Sequence, residues 1–326
     1  MEKQSNNIRI HHARILSMTK DTSDRSSELP VIHGEIHICN DKITYVGDPR
    51  FAPSADWDRE IDADGNIIMP GFKNAHTHSG MTFLRSYADD LPLQNWLYDK
   101  VFPLEALLTP EDIYWCSRLA IMEYLTSGIT ANFDMYQKTD AIVRASVDSC
   151  YRTVLCGSVN NFVSSVEELE QNYLRYNNYD PLISSQLGFH AEYTTSEELL
   201  HGIADLSHKY KAPVYTHNSE TADEVSDCVK RTGYTPTVYM EHLGLLDHGG
   251  GGFHCVHMTE EDLDIYKEKG LWAVTNPSSN LKLASGIAPL THMLDKGISL
   301  AIGTDGPASN NCLDMFREMF LTTALQ

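Results

Sequence analysis

The chain has 326 residues, which is enough for one large hydrophobic core and a smaller accessory unit. It carries 45 acidic and 25 basic residues, a formal net charge of −20. This negative field repels phosphate backbones, so nucleic acid is excluded as an expected partner. The sequence contains no run of about 18 uncharged apolar residues that would cross a membrane.

The N-terminus and the cysteines indicate the compartment. Residues 1–7 lack the apolar segment of a signal peptide, so we expect a cytoplasmic protein. The seven cysteines are scattered and form no Cys-x-x-Cys pair, which is typical of reduced thiols. The same pattern excludes a zinc ribbon and the deaminases that carry a His-x-Glu…Pro-Cys-x-x-Cys signature.

Short strands open the chain. Apolar and polar side chains alternate over three segments, residues 8–18, 35–40 and 43–46. Residues 40–42 predict a hairpin turn, and the polar stretch 19–30 predicts a loop. We therefore predict a small β domain over residues 1–65.

From residue 66 the pattern changes to strand, loop and helix in repetition, which is typical of a parallel sheet covered by helices. We predict eight strands, at residues 67–76, 129–133, 153–159, 183–190, 213–217, 252–257, 271–276 and 298–305. Eight such units over roughly 250 residues match a (β/α)8 barrel of the TIM type, whose active site lies at the C-terminal ends of the strands. The predicted fold class is therefore α/β, with the barrel over residues 66–326.

Four histidines and one aspartate occupy these strand ends. His76 and His78 follow the first strand two residues apart, and side chains at i and i+2 of a strand point to the same face. His217, His254 and Asp305 lie at the ends of predicted strands five, six and eight. Because strand eight neighbours strand one in a closed ring, we predict that all five side chains meet at one mouth of the barrel.

The segments around these residues resemble the amidohydrolase superfamily, and within it the methylthioadenosine/S-adenosylhomocysteine deaminases. The matching segments are Pro70-Gly71-Phe72-Lys73-Asn74-Ala75-His76-Thr77-His78, His217-Asn218-Ser219-Glu220, Phe253-His254-Cys255, residues 276–286 and Gly303-Thr304-Asp305-Gly306. The similarity runs from about residue 8 to the end of the chain. It implies a hydrolase that releases ammonia from an aminopurine nucleoside of the methylthioadenosine, adenosine or S-adenosylhomocysteine type.

Three imidazoles and one carboxylate form a ligand set that suits a borderline divalent metal and leaves room for a water molecule. We predict His76, His78, His217 and Asp305 as the ligands. A metal in such a site lowers the pKa of its water from about 16 toward about 7. Zinc is the default, and iron, manganese or nickel would tolerate similar ligands.

Two further residues are predicted to transfer protons or hydrogen-bond the reacting atoms. Glu220 can reach the water only if the chain turns after His217, and it would then carry a proton to a ring nitrogen of the substrate. The alternative is a surface glutamate that opens the next helix. His254 resembles the family histidine that hydrogen-bonds the attacking hydroxide and the tetrahedral intermediate. For Asp305, protonation of the leaving amine is a second role.

The resemblance favours one metal ion over two. Related hydrolases with two metals carry a modified lysine at the end of strand four, where residues 188–192 of this chain contain no lysine. His190, in this segment, matches a family position that contacts the substrate. The alternative is an ordinary buried histidine.

Trp96 and Glu105 resemble the loop after strand one in nucleoside-processing relatives. In those relatives the glutamate accepts hydrogen bonds from both ribose hydroxyls, and a carboxylate suits a vicinal diol because each oxygen takes one hydroxyl. We predict that both residues bind the substrate. The alternative for Glu105 is a glutamate at a helix start, where the helix dipole favours it.

Two positions depart from the family. Relatives that hold the homocysteine carboxylate have an arginine just after strand three, where this chain has Gly157. Arg152 precedes the strand and is expected at the opposite end of the barrel. We therefore hypothesise that neutral nucleosides are better substrates than S-adenosylhomocysteine. The second departure, Thr275 in place of a family histidine, has no predicted consequence.

The relatives continue beyond the end of this chain, and their extra strands complete the small β domain. We therefore expect half of a β-sandwich here, without the C-terminal strands, and its open edges would favour aggregation unless another chain covers them.

Two alternatives to a nucleoside deaminase remain. One is a deaminase or hydrolase of guanine, cytosine or triazine rings in the same superfamily, and the other is a barrel that binds metal without turnover. The expected partner is a small-molecule substrate, with no nucleic acid and no membrane. A homo-oligomer remains open.

Overall fold

The computed structural model describes residues 6–19 and 31–326, so only Thr19 of the loop predicted over residues 19–30 belongs to the described part. Contacts between Cα atoms divide the chain into two compact units, one that ends at Gly71 and one over Phe72–Gln326. Among the helices of the described ranges, none is long and apolar enough to cross a lipid bilayer.

The strands are β1 (Asn7–Leu16), β2 (Val31–Cys39), β3 (Lys42–Gly47), β4 (Arg59–Asp62), β5 (Ile67–Ile68), β6 (Phe72–Thr77), β7 (Ile129–Met135), β8 (Arg152–Cys156), β9 (Ile183–Ala191), β10 (Val214–Asn218), β11 (Gly250–His254), β12 (Trp272–Thr275) and β13 (Ser299–Ile302). The α-helices are α1 (Leu93–Trp96), α2 (Phe102–Glu105), α3 (Pro110–Thr126), α4 (Thr139–Asp148), α5 (Val166–Tyr176), α6 (Glu197–Tyr210), α7 (Ala222–Thr232), α8 (Pro236–His242), α9 (Glu260–Lys269), α10 (Pro277–Lys282), α11 (Leu290–Lys296), α12 (Pro307–Asn310) and α13 (Met315–Ala324).

The first unit is a sheet in the order β3-β2-β1-β4, with β5 also paired to β1. Strands β1, β2 and β3 are antiparallel, whereas β4 and β5 run parallel to β1. The hairpin predicted at residues 40–42 joins β2 to β3, and Asn40 takes the left-handed conformation (φ 56°) that such a turn requires. A small apolar core of Ala13, Ile15, Ile36 and Ala63 packs on the sheet.

The first predicted barrel strand, residues 67–76, is wrong in its extent. Strand β5 pairs with Arg14 and Ile15 of β1, and the barrel begins only with β6. The physical reason is Pro70, which has no N–H to donate to a ladder and interrupts the strand. Residues 66–71, which the sequence placed with the barrel, therefore group with the first unit.

The second unit is the predicted barrel, with eight parallel strands in the order β13 to β6 and helices between them. The ring is joined where β13 meets β6. The backbone N–H groups of Thr304 and Asp305 donate to the carbonyl of His76, at 3.1 and 3.0 Å. The side chain of Asn74 adds two hydrogen bonds to Thr304, at 2.7 and 2.9 Å. These bonds fix the end of strand eight against the end of strand one.

The glycine run of β11 lets its neighbours approach closely. A Cβ at Gly250, where φ is +120°, would lie 1.9 Å from the carbonyl oxygen of Val214 in β10. A Cβ at Gly251 would lie 2.1 Å from the carbonyl oxygen of Trp272 in β12. Only glycine fits between these two strands, and the strand it forms ends at His254.

Candidate active site

Five metal-ligating side chains meet at the C-terminal ends of the strands. His76 lies in β6 and His78 just beyond it, His217 lies in β10, His254 ends β11, and Asp305 follows β13. All five are buried. The sequence predicted this convergence from the positions of the residues at the ends of predicted barrel strands, and the structure places the side chains together.

The closest contacts surround one oxygen of Asp305. Its Oδ1 lies 3.1 Å from Nε2 of His78 and 3.4 Å from Nε2 of His76. Nε2 of His217 lies 3.3 Å from Nε2 of His78. Ligand atoms of His76, His217, His254 and Asp305 also all lie within 4.8 Å of one another. The geometry therefore allows two overlapping sets of four, which differ in whether His78 or His254 is included.

Hydrogen bonds at Nδ1 orient three of these imidazoles. His78 donates to the carbonyl of Met135, and His217 donates to the carbonyl of His190 at 2.6 Å. Because a carbonyl oxygen only accepts, Nδ1 carries the proton in both rings and Nε2 faces the centre of the site. His76 has no hydrogen-bond partner on either nitrogen in the described part of the chain, and its ring stacks on Phe253 at 3.7 Å between centroids.

His254 is oriented differently from the other imidazoles. Its Nδ1 bonds to Oδ1 of Asn280 at 2.7 Å, and its Nε2 lies 3.7 Å from Oε2 of Glu220. The ring therefore faces the carboxylate of Glu220, whereas His76 and His78 face Asp305. This difference separates His254 from the group that surrounds Asp305.

Asp305 combines two satisfied bonds with one free oxygen. Oδ2 accepts hydrogen bonds from the hydroxyls of Ser279 and Ser309, at 2.6 and 2.7 Å. Oδ1 is buried and has no hydrogen-bond partner among the described residues. A buried carboxylate oxygen without a donor is costly unless something positive lies against it.

The pKa shifts in the site indicate that the carboxylate of Asp305 is ionised and surrounded by imidazoles. Burial alone would raise the pKa of Asp305, but the imidazoles of His76 and His78 hold the pKa well below its usual value. Burial lowers the pKa of His76 to about 3 and the pKa of His217 well below its usual value. At His78 burial would lower the pKa, but the charge of the nearby Asp305 carboxylate outweighs burial and raises the pKa to about 9. The site thus favours positive charge beside Oδ1, and the donor set suits a divalent cation.

Glu220 is not the surface glutamate of the alternative interpretation. The chain turns at Ser219, where φ is 51°, and helix α7 begins only at Ala222. Glu220 is buried, its Oε1 accepts a hydrogen bond from the hydroxyl of Ser285 at 3.2 Å, and burial raises its pKa. The turn that the sequence required after His217 therefore exists and directs the carboxylate inward.

Glu224, which the sequence analysis did not single out, holds this turn. Its carboxylate accepts the backbone N–H groups of Ser219 and Glu220, both at 2.8 Å. It is also the third residue of a capping box with Thr221 at the start of α7. The Thr-x-x-Glu pattern at residues 221–224 was the signal that could have identified it. Ser279, Asn280 and Ser285 lie in the quoted motif 276–286 but had no assigned role.

A cavity of about 460 Å³ opens over these residues and is also lined by Trp96, Glu105 and His190. One carboxylate oxygen of Glu105 is buried without a hydrogen-bond partner in the described chain, and burial raises the pKa of Glu105 to about 6. His190 bonds through Nδ1 to the hydroxyl of Thr194 at 2.9 Å, and burial lowers its pKa to about 3. All three residues predicted to bind substrate therefore share one cavity with His78, His217, His254 and Asp305.

The surroundings of Gly157 are closely packed. A Cβ at Gly157 would lie 2.4 Å from Cδ1 of Leu169 and 2.6 Å from the carbonyl oxygen of Gly188, so a side chain there would meet packed atoms before the cavity. Arg152 is the first residue of β8, away from the C-terminal strand ends, as expected. The cavity itself also lacks a cation, because no lysine or arginine is among the described residues that line it.

Aromatic and aliphatic side chains form another part of the cavity wall. Tyr98 and Phe102 pack edge to face at 5.3 Å between ring centroids, and Phe162 lies 6.2 Å from Phe102. Phe162 and Val163 keep 66% and 39% of their surface exposed. This part of the cavity, formed by Tyr98, Phe102, Phe162 and Val163, is called the apolar rim below.

The chain matches one protein family and is similar to three known proteins. The sequence profile of the amidohydrolase family matches residues 67–326. The chain is 40% identical over 329 aligned residues to the 5-methylthioadenosine/S-adenosylhomocysteine deaminase of Desulforamulus reducens, covering 98% of this chain and 74% of that protein. Identity to the protein of the same name from Syntrophomonas wolfei is 44% over 274 residues, covering 82% and 64% of the two chains.

A solved structure with the same fold is the adenosine deaminase of Xanthomonas campestris with bound zinc. It superposes with a TM-score of 0.89 at 31% identity, over 98% of this chain and 74% of that one. The chain thus spans about three quarters of the length of two of these three relatives.

Proposed function

The chain belongs to the amidohydrolase family, and from this premise we propose that it is a metal-dependent hydrolytic deaminase of an aminopurine nucleoside. The observation that carries the proposal is the unpaired Oδ1 of Asp305 among imidazole nitrogens, with the buried carboxylate of Glu220 in the same cavity. Three relatives whose alignments cover most of this chain are named as deaminases, which supports the same activity.

His76, His78, His217 and Asp305 would hold one divalent metal ion, with zinc as the first choice. We prefer His78 to His254 because His78 contacts both Asp305 and His217, whereas His254 faces Glu220. When bound, the ion would lower the pKa of a water molecule toward about 7.

Glu220 transfers the proton of the reaction. It accepts a proton from the water that attacks C6 of the purine and delivers it to N1, so that the ring nitrogen is neutral as the new C–O bond forms. Burial raises its pKa above the usual value, which makes the carboxylate a stronger base. Ser285 and the turn held by Glu224 fix its position.

His254 and Asp305 act on the tetrahedral centre. Nε2 of His254 hydrogen-bonds the attacking oxygen, and the bond of Nδ1 to Asn280 keeps the ring in this orientation. A proton must also reach the amino group before ammonia leaves. This proton comes from the hydroxyl that has added to C6, and Asp305 is assigned its transfer to the amino group, so that the C–N bond breaks as the C6 carbonyl forms.

Glu105, Trp96 and His190 bind the nucleoside. The unpaired oxygen of Glu105 accepts a ribose hydroxyl, and the second oxygen takes the other. Trp96 is buried and offers the apolar surface on which a purine packs. His190, kept neutral by its lowered pKa and oriented by Thr194, presents Nε2 as an acceptor.

Metal-dependent release of ammonia tests the proposal directly. Protein stripped by a chelator is expected to be inactive, and addition of Zn²⁺, Fe²⁺ or Mn²⁺ is expected to restore ammonia release from adenosine or methylthioadenosine. A coupled ammonia assay and elemental analysis of the same samples measure both quantities. Protein that holds its metal yet releases no ammonia from any aminopurine nucleoside would support the non-catalytic barrel and overturn the proposal.

Glu220→Gln keeps the shape of the side chain and removes the base. We expect kcat to fall by about 10²- to 10⁴-fold, while the metal content stays unchanged because Glu220 is not a proposed ligand. Steady-state kinetics and elemental analysis measure the two effects. Glu198→Gln, at an exposed glutamate of α6, is the matched control. A variant within threefold of the parent rate would assign the proton transfer to another group.

Glu105→Ala separates nucleosides from free bases. The kcat/KM for adenosine is expected to fall by at least about tenfold, the value of one hydrogen bond to a charged group. The much lower kcat/KM for adenine should change little. In the parent enzyme, kcat/KM for adenosine is also expected to fall as the pH drops through about 6, because the protonated acid loses an acceptor. Equal losses for base and nucleoside would contradict the diol contact.

The cavity is expected to prefer methylthioadenosine to S-adenosylhomocysteine. The homocysteine carboxylate would lose water against the apolar rim, where no described lining residue supplies a cation. We expect kcat/KM to be at least about tenfold higher for methylthioadenosine, since a charge that loses part of its water without gaining a partner costs about 1–3 kcal/mol or more. Val163→Arg should narrow the ratio, and Val163→Gln is the uncharged control. Equal or higher kcat/KM for S-adenosylhomocysteine refutes the preference.

A further inference from the structure

A second group of metal-ligating side chains lies in the first unit. His11 and His12 belong to β1, and Asp62 ends β4. Nδ1 of His12 lies 3.0 Å from Oδ1 of Asp62 and 3.1 Å from Nδ1 of His11. Nδ1 of His11 lies 3.8 Å from the same Oδ1. Three potential ligand atoms thus surround one point.

A regular strand would not allow this arrangement. Consecutive side chains of a strand point to opposite faces, so His11 and His12 should diverge. The ladder between β1 and β2 is irregular between Ile10 and Ala13, and His12 has a positive φ of 52°. Such a bulge re-aims a side chain, and here it directs both rings to the same carboxylate. A non-glycine residue takes this conformation at some cost in backbone energy.

The chain around Asp62 supports the same geometry. Residue Asp62 pairs with His11 in the parallel ladder of β1 and β4. The backbone N–H of Ala63 donates to the carbonyl of His11 at 2.9 Å, and that of Gly65 donates to the carbonyl of His12 at 2.8 Å. The N–H of Asp64 donates to Oδ1 of Asp62 at 2.9 Å, which fixes the carboxylate. The segment is therefore held by its backbone and not only by the three side chains.

Hydrogen bonds alone do not account for the three contacts. If Nδ1 of His12 donates its one proton to Asp62, no second proton is left for a hydrogen bond to Nδ1 of His11. If Nδ1 of His11 also carries a proton, two N–H groups face each other. A cation satisfies both nitrogens and the carboxylate at once. Tetrahedral ligands at about 2.1 Å from zinc lie about 3.4 Å from one another, and the observed separations of 3.0, 3.1 and 3.8 Å average close to that value.

We propose that His11, His12 and Asp62 form a second metal site, for a borderline divalent transition metal of the zinc class, with water in the remaining position. Two imidazoles and one carboxylate suit zinc, nickel or copper better than magnesium or calcium, which prefer oxygen ligands. The side chains of His12 and Asp62 are 71% and 55% exposed, so the site exchanges metal with solvent. Bound metal links β1 to β4 and stabilises the first unit.

Metal stoichiometry tests the site through a difference between variants. The full chain, dialysed against a defined micromolar concentration of free Zn²⁺, is expected to hold one zinc more than His12→Gln or Asp62→Asn. His33→Gln, at an exposed histidine of β2, is the control and should keep the parental content. Substitution with Co²⁺ should give a visible d–d band at the same site that both variants lose. Ammonia release should be unchanged in all three variants.

The difference of one zinc does not depend on the barrel. If the proposed function fails and the barrel holds no metal, the parent would hold one zinc and the two variants none. The inference is overturned if the parent and both variants hold the same amount, or if His33→Gln loses zinc as they do. The use of two variants at different ligands guards against a folding defect in either one, which circular dichroism would detect.

Discussion

The whole site depends on the closure of the barrel between its last and first strands. The carbonyl of His76 accepts two backbone N–H groups, from Thr304 and Asp305, and so the two ends of the barrel sequence are held together at this point. The same contact places the carboxylate of Asp305 against the ring of His76. Asp305 takes a positive φ of 60° to do so. Backbone strain at a functional residue persists only where the surrounding structure over-determines it, and here the joined ring does that.

A second feature of the site is that each of these side chains uses one polar atom for a fixed hydrogen bond and directs the other into the site. His78, His217 and His254 each use Nδ1 for a fixed partner and direct Nε2 inward. Asp305 uses Oδ2 for two serine hydroxyls and leaves Oδ1 unpaired. The fixed bonds set the orientation of the rings before anything binds, and pre-oriented groups need little reorganisation during a reaction. The serines and Asn280 therefore matter for the chemistry although they are not proposed ligands.

The sequence predicted the barrel and the residues that meet at its mouth, because strand periodicity and position along the chain determine both. It also required the turn after His217 that places Glu220. It failed where the result depends on three-dimensional packing. Pro70 divides a segment that looks like one apolar strand, and the sequence does not show that Leu169 and Gly188, which are distant along the chain, pack closely on Gly157.

The sequence also did not predict the bulge in β1 or the supporting role of Glu224. His11 and His12 appear as alternating strand residues until the irregular register of β1 turns both toward Asp62. Glu224 reads as an ordinary capping residue of α7, and only the structure shows that its carboxylate also holds Ser219 and Glu220. In both cases the residue type is visible in the sequence, whereas the partner is set by a local backbone conformation that periodicity does not encode.

Several buried polar atoms of the barrel have no hydrogen-bond partner among the described residues, and they indicate which ligand groups the cavity binds. Oδ1 of Asp305 lies close to Nε2 of His76, whose two nitrogens are also unpaired, and Oε1 of Glu105 belongs to another residue that lines the same cavity as Asp305. Leaving such groups without partners costs free energy in the empty protein, and a ligand that supplies the missing partners recovers it. The first group lacks a positive charge, and the second lacks a hydroxyl or amide donor. A purine nucleoside beside a metal ion supplies both, whereas a free base supplies no ribose hydroxyl to Glu105. The same accounting explains why the apolar rim, which has no unpaired atom to satisfy, favours a substituent without charge.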